Sequence, residues 1–468
     1  MGSTGGKPRK QIHLGAHFPG VNATTVWSDP RWQSMIEFSS FVHLAQTAER
    51  AKFDFFFLAE GLRLREKKGL VHDLDVVGRP DTLTVLAALA AVTERLGLIG
   101  TINATFNEAY EVARQFATLD QISDGRAGWN VVTSSDAFTG ANFRRGGYLP
   151  YSDRYDHAGE LLDVARGLWN SWSPDDVLVD ATGGRFLKDP YVGAFDHTGR
   201  HFDVRGQFTV PRTPQVEPVL LQAGDSEDGR DFGARYADAI FTPPRSLAAA
   251  RIYYQELKGR LPRYGRSPED LLILPGVTFV LGDTSADAQQ KAREIRGQQV
   301  SGATAIQYLE LVWNRDLSGY DPDGPLPEID PDPGPLTVVQ GQTRSIRDPL
   351  ATAREWREIA AAHGFSIREF VIEQSAHQTF IGTPAEVADQ IDERVQTDAA
   401  DGFILISHLS PTGLDEFADT VVPLLQERGS FRTEYAGTTL RDHLGLPAAG
   451  TRRPAASSGL DFATGGTR

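Results

Sequence analysis

The sequence predicts an α/β protein closed as a (β/α)8 TIM barrel. Three observations carry this: about eight short runs of β-branched and aromatic residues, amphipathic stretches of helical length after nearly all of them, and a length of 468 residues. That length suits either two ordinary domains or one large barrel, and the repeated strand-then-helix order selects the barrel.

The expected strands are Ile12–Phe18, Phe53–Ala59, Leu96–Ile102, Ala127–Val132, Val219–Gln222, Ala239–Phe241, Leu272–Val280 and Phe403–His408. The expected helices are Phe38–Ala51, Thr82–Glu94, Tyr110–Ile122, Tyr155–Trp169, Asp228–Tyr236, Leu247–Tyr264, Ser285–Arg296 and Leu414–Glu427. In the second helix Leu83, Leu86, Ala87, Ala90 and Ala91 recur at helical spacing, and Asp81 and Thr82 stand where a cap is needed.

Two stretches interrupt the alternation. Ser173–Arg212 is rich in Gly, Asp and His, and Asn314–Pro349 contains the Pro, Asp and Gly run Asp321–Pro335, which cannot hold a helix or a central strand. Both read as insertions, about 173–212 and 314–349, in a barrel spanning 11–446; each is either a lid over a ligand or a surface loop. Residues 1–10 are Gly-rich and basic, and 447–468 carry too few large apolar residues to pack, so both ends read as disordered.

Composition narrows the chemistry. A formal charge of -15 argues against a nucleic-acid partner, because that binding rests on Lys and Arg neutralising phosphates. With no cysteine, disulfides, thiolate metal sites, iron–sulfur clusters and cysteine nucleophiles are excluded. No run approaches the ~20 apolar residues of a membrane span, and the N-terminus lacks the apolar core of a secretory signal, so a cytoplasmic protein is expected. The Gly-rich dinucleotide turn, the P-loop, the H-E-x-x-H zinc helix and the G-x-S-x-G elbow are all absent. The eleven histidines are scattered, and the pair His197 and His201 suits hydrogen bonding better than metal ligation, so no metal is expected.

Chemistry is expected at the strand ends. The segment Gln222–Arg230 follows an apolar strand and opens a helix, so its free N–H groups, the helix dipole and the Ser226 hydroxyl suit a phosphate. Taken alone it is explained as well by a simple N-cap. Asn130 and Thr133 on the fourth strand, Thr101, Asn103 and Thr105 at the end of the third, and Glu60 after the second converge on one mouth, where they can bind a planar heterocycle or cap loops.

Several ordered segments together resemble one family. Phe53–Glu60, Thr105–Phe116, Leu119–Arg126, Gly128–Ser134, Asp153–Asp156 and Gln222–Gly229 resemble the nitrilotriacetate and dibenzothiophene-sulfone branch of the bacterial luciferase-like FMN-dependent monooxygenases, from His13 through about Leu446. Phe431–Tyr435 and Thr439–Leu446 look especially like the sulfone-oxidising members. The resemblance implies a luciferase-like barrel that is the oxygenase component of a two-component system. Reduced FMN would diffuse from a separate NAD(P)H:flavin reductase and react with O2 to a C4a-hydroperoxide, which passes one oxygen atom to a small-molecule substrate.

By similarity, the FMN phosphate would be held by Ser226, Gly224 and the start of their helix, together with Tyr155 and with Tyr151, which stands where many relatives carry His. Thr101, Asn130 and Glu60 would contact the flavin, with Glu60 replacing the usual Asp. His17, Asn103 and Thr105 are the candidates for stabilising the reactive species or binding substrate; core hydrogen bonding is the other explanation for each. Luciferase-like barrels commonly pair, so a homo-oligomer is expected, with contacts near the second and third strands.

The substrate expected is aromatic or heteroaromatic. No Arg or Lys lies between Gln11 and Trp27, whereas a polycarboxylate calls for guanidinium forks; Trp27, Phe106 and Phe138 are aromatic, and the run Arg63, Arg65, Lys67, Lys68 reads as a solvated face. A polycyclic sulfone and a flavin degraded as by a riboflavin lyase both fit, with Asp73, Asp75 and Arg79 available to a hydroxylated chain. A non-catalytic flavin-binding barrel and a sugar hydrolase using Glu60 and Glu108 are the remaining alternatives.

Overall fold

The computed structural model describes residues 9–71, 79–134, 137–143, 153–335, 337–340, 348–375 and 378–449. Eight parallel strands form a closed barrel: β1 (His13–Phe18), β2 (Phe55–Leu58), β3 (Gly97–Asn103), β4 (Ala127–Val132), β5 (Val219–Gln222), β6 (Ala239–Thr242), β7 (Leu272–Val277) and β8 (Gly402–Ile406). Each strand pairs with its successor and β8 closes on β1.

The strands read as unbroken apolar runs because both faces are buried. Phe55, Phe57, Ile99, Leu221, Leu274 and Ile404 fill the barrel interior, while Phe56, Leu58 and Leu98 join the outer core under the helices. Gly15 makes this filling possible, since a Cβ there would lie 2.3 Å from the Phe55 ring.

The outer layer begins with α1 (Phe38–Arg50), α2 (Thr82–Ala90), α3 (Ala109–Ile122), α4 (Arg154–Trp169), α5 (Glu227–Tyr236) and α6 (Leu247–Lys258). Asp81 caps α2 by accepting from the Thr84 N–H at 2.8 Å. The helix stops at Ala90, short of the expected Glu94, and the buried Arg126 guanidinium donates to the Ala90 carbonyl that the next turn would have used and to the carbonyls of Thr93 and Leu96 beyond it. The long helix expected through Tyr264 breaks after Lys258 into a separate 3-10 turn, Leu261–Tyr264, whose Pro262 supplies no N–H to continue the α ladder.

The longest departure from the simple repeat lies between β7 and β8. The expected strand Leu272–Val280 ends at Val277, and Phe279–Leu281 leaves the barrel to pair in parallel with Phe380–Gly382. Among the described residues five helices occupy the interval: α7 (Ser285–Gln299), α8 (Gly302–Trp313), α9 (Pro349–His363), α10 (Ile367–Ser375) and α11 (Pro384–Gln396). Of these only α7 is anticipated by its sequence pattern. Leu309, Trp313, Ala353 and Phe370 give the inserted helices a small core of their own, and the run Asp321–Pro335 holds neither helix nor strand.

The segment 173–212 forms two antiparallel hairpins, Val177–Asp180 with Arg185–Leu187 and Ala194–Thr198 with Asp203–Gln207. The second packs on α4: Glu160 accepts from the backbone N–H groups of His201 and Phe202 at 3.0 and 2.9 Å, and His197 lies 3.1 Å from the same carboxylate. Helix α12 (Asp415–Glu427) follows β8, and a single further turn, Leu440–His443, lies beyond it.

Beyond α12 the chain crosses the N-terminal end of the barrel and plugs it. Leu440, Leu444 and Leu446 join the interior cluster, Arg441 pairs with Asp238 at 3.0 Å, and Tyr435 donates to the Phe53 carbonyl at 2.7 Å. Gly97 permits the closure, because a Cβ there would stand 2.4 Å from the Leu440 side chain. Among the described residues no helix is long and apolar enough to cross a membrane.

Candidate active site

The opposite, C-terminal end of the barrel collects the polar side chains. Thr101 and Asn130 sit side by side in the β3–β4 register, and the Asn130 Nδ2 donates to the Thr101 hydroxyl at 2.9 Å. Both are buried. The Asn130 Oδ1 is buried without a hydrogen-bond partner among the described residues, as is the Oε1 of Gln222 at the end of β5. An orphaned buried carbonyl carries the full desolvation cost of its polarity, so these acceptors point to a missing donor.

Asn103 and Thr105 are engaged locally. The Asn103 Oδ1 accepts from the Thr105 N–H at 2.7 Å, and the Thr105 hydroxyl donates to the Ser134 carbonyl at 3.1 Å, so the two side chains shape the turn that leaves β3. His17, the penultimate residue of β1, has its Nδ1 3.3 Å from the Phe57 carbonyl. Burial, seconded by the nearby Arg79 charge, lowers its pKa to about 3, so the ring is neutral at pH 7. With Nδ1 donating to that carbonyl, Nε2 is left as an acceptor.

Glu60 takes the opposite electrostatic course. Burial, reinforced by the Asp81 carboxylate, raises its pKa to about 8 even though the Asn103 N–H donates to it. The side chain reaches the end of β3 and at pH 7 carries its proton, which makes it a donor where a carboxylate would only accept. Glu108 is exposed at the start of α3.

The turn that the sequence suits to a phosphate lies at the β5–α5 junction. Ser226 caps α5 by accepting from the Gly229 N–H at 3.1 Å, so its oxygen is engaged as a cap, with its own O–H left to donate. Gly224 and Gly229 let Tyr155 from α4 close on the turn; a Cβ at either would stand 2.7 or 2.8 Å from the phenol oxygen. The resulting cavity of about 260 Å³ is lined by Thr133, Arg154, Tyr155, Gln222, Gly224 and Ser226, among others. Asp225 lines it too, but Arg245 and Arg230 lie 2.6 and 3.3 Å from its carboxylate.

Sequence reasoning missed Arg154 and Gln222 here. Both stand inside segments that carry the family resemblance, and the signal is an Arg one residue before Tyr155 at a helix start, a placement from which a cation can reach an anion at the neighbouring helix start. Tyr151, and Asp73 and Asp75, lie outside the described residues. Among the described residues no group of three or more His, Asp or Glu is arranged to hold a metal ion.

The atoms present fit FMN. A capped helix N-terminus with an arginine and a phenol suits its phosphate, and the unpartnered acceptors of Asn130 and Gln222 suit donors of a flavin.

The aromatic residues and the basic run are placed as follows. Phe106 stacks on Phe143 with ring centroids 4.3 Å apart. The Arg63 guanidinium covers the Phe138 ring at 3.5 Å and pairs with Glu66, Lys67 pairs with the buried Glu310 at 2.8 Å, and Lys68 pairs with Asp316. The short strand Glu66–Lys67 also pairs with Val339–Gln340, which fastens the loop after β2 to the inserted helices.

The chain matches the family described as "Luciferase-like monooxygenase" over residues 14–401. It is 39% identical over 445 residues, 94% of this chain and 97% of the relative, to the N-acetyl-S-(2-succino)cysteine monooxygenase of Bacillus subtilis (strain 168). To the dibenzothiophene-sulfone monooxygenase of Rhodococcus erythropolis (strain XP) it is 38% identical, covering 94% of this chain and 97% of that one. Among solved structures it is similar to a riboflavin lyase crystallised with modified FMN and its substrate riboflavin, at 30% identity and a TM-score of 0.77, covering 95% of this chain and 100% of that chain. A barrel with this mouth, this helix-start cradle and these matches along nearly its whole length belongs to the luciferase-like monooxygenase family.

Proposed function

We propose that this enzyme is the oxygenase component of a two-component flavin monooxygenase, which takes reduced FMN from a separate NAD(P)H:flavin reductase, and O2, and oxidises an aromatic or heteroaromatic substrate such as a polycyclic sulfone. The observation that carries the reading is the junction in one barrel mouth of the α5 cradle with the unpartnered acceptor of Asn130. When bound, reduced FMN supplies the electrons with which oxygen is activated.

The chain's own residues bind, orient and exclude water. Arg154, Tyr155 and the N–H groups at the start of α5 hold the phosphate, and the Asn130–Thr101 pair presents a fixed amide to the ring system. Neutral His17 accepts a hydrogen bond at Nε2, and protonated Glu60 donates one, so these two side chains offer both roles without adding a charge of their own to that of the neighbouring Arg79. The paired state of Arg63, Lys67 and Lys68 supports an uncharged substrate, because each cation already has a carboxylate or aromatic partner.

Turnover is expected only when FMN, NADH or NADPH, a reductase and O2 are all supplied. Substrate oxidation by the protein with flavin withheld would overturn the assignment. Within that scheme, aromatic sulfones are expected to turn over faster than nitrilotriacetate or another aminopolycarboxylate; the reverse order would reject the substrate class and leave the oxygenase standing. The likeness to the riboflavin lyase favours one second reading, oxidative removal of the riboflavin side chain. Release of lumichrome-type products from riboflavin under the same conditions distinguishes it.

A further inference from the structure

A second cavity, of about 380 Å³, lies between the loop after β1 and the inserted helix α8. Thr304, Gln307, Tyr308 and Leu311 of α8 line it, spaced i, i+3, i+4 and i+7, so one continuous face of the helix looks into it. The other face, with Ala305, Leu309, Val312 and Trp313, is buried in the core of the inserted helices. From the loop come Asn22, Thr25 and the half-exposed Trp27.

Among the described residues, none that lines the cavity carries a charge. Most of the lining amides and hydroxyls are already engaged. Asn22 donates to the Pro19 carbonyl, Gln299 to the Thr24 carbonyl, and the Ser301 hydroxyl caps α8 and meets the Thr304 hydroxyl at 2.9 Å. Gln307 is different: it is 4% exposed, and its Nε2 has no hydrogen-bond partner among the described residues. The Nε2 has no surface open to the cavity in this conformation, but Gln307 lines the cavity, and turning its amide about the last side-chain bond would exchange a buried, unpaired N–H for one that a molecule from outside the chain can accept from.

We infer that this cavity binds a neutral organic molecule, with the Gln307 amide donating to a carbonyl or amide oxygen and Trp27 and Tyr308 facing an apolar or aromatic body. The chemistry excludes strongly ionised ligands, because the lining has no counter-charge and taking an unpaired ion out of water is costly. Naming that molecule as the substrate rests on the oxygenase function proposed above; the binding does not, so it is tested on protein free of flavin.

The probes are benzamide, its anionic counterpart benzoate, and ethylbenzene, titrated calorimetrically into wild type and Gln307→Met. Benzamide is expected to bind wild type more tightly than benzoate, and the substitution is expected to weaken benzamide about tenfold, the loss of one hydrogen bond, while ethylbenzene is unchanged. The variant is expected to melt no lower than wild type, since an orphaned buried amide has been replaced by an apolar side chain of similar shape. Equal benzamide affinity in the two proteins, benzoate binding as tightly as benzamide, or a variant that melts several degrees lower or does not fold would each overturn the inference. A crystal of wild type soaked with benzamide provides the independent check: the carbonyl on Gln307 supports the assignment, and benzamide elsewhere or nowhere rejects it.

Discussion

At the scale of single residues, the mouth of this barrel is governed by burial acting on ionisable groups in opposite senses. Glu60 is shifted to about 8. Its folded pKa lies above the unfolded value, so its stabilising protonation is complete below about pH 4.5 and is lost as pH rises through about 8. Glu60→Gln is therefore expected to flatten the fall in melting temperature between pH 5 and 8, and differential scanning calorimetry across that range checks it; an equal fall in both proteins would show that Glu60 titrates normally. His17 is shifted down to about 3, and His408 and His443 to about 4, chiefly by burial. Their folded pKa values lie below the unfolded one, so the stability they support is present above pH 6.5 and is lost on acidification toward 3. His17→Gln should soften the acid transition monitored by circular dichroism. Arg154 supplies a sharper residue test: Arg154→Ala is expected to weaken FMN about tenfold or more and riboflavin hardly at all, because only FMN presents a phosphate to the guanidinium. Equal losses for both ligands in a fluorescence titration would move the phosphate away from this cradle.

At the scale of elements, the β5–α5 turn shows how a local motif acquires a specific use. The helix start read from Gln222–Arg230 explains Ser226 equally well as a cap and as a phosphate contact, and the structure contains the cap. What turns the cap into one wall of a site is its neighbour: Tyr155 closes over Gly224 and Gly229, and Arg154 lines the same cavity. Gly229→Ala tests this juxtaposition. Alanine inside a helix is intrinsically favoured over glycine by about 1 kcal/mol, yet here its Cβ would meet the Tyr155 oxygen at 2.8 Å. We expect a melting temperature near that of wild type together with a severalfold weaker FMN affinity, measured by flavin fluorescence; unchanged affinity would mean that Tyr155 does not need its present seat. The helix α8 was invisible to periodicity for a related reason. Two of its faces are buried, one in a core and one on a cavity, so its polar residues do not gather on a solvent stripe.

At the scale of the whole molecule, the barrel separates binding from closure. The cradle and mouth lie at the C-terminal ends of the strands, while Leu440 and its neighbours seal the other end. Leu440→Ala is accordingly expected to cost about 3 kcal/mol in urea unfolding while leaving FMN affinity unchanged in whatever fraction is folded. A matching loss of FMN affinity would show that the two ends are coupled. The same division places the C-terminal segments Phe431–Tyr435 and Thr439–Leu446, which resemble sulfone-oxidising relatives, in the plug, at the opposite end of the strands from the α5 cavity. By itself the sequence determined the eight-stranded repeat, the family and the strand ends at which polar groups collect, because doubly buried parallel strands and their helices write local patterns of period and composition. Only the tertiary structure decided that α8 turns Gln307 toward a cavity, that Arg154 joins the cradle, that Lys67 answers the buried Glu310, and that burial drives Glu60 and His17 to opposite protonation preferences. Each of these depends on which distant segments exclude water from a given atom, and that is set by packing between elements rather than by the order of residues within one.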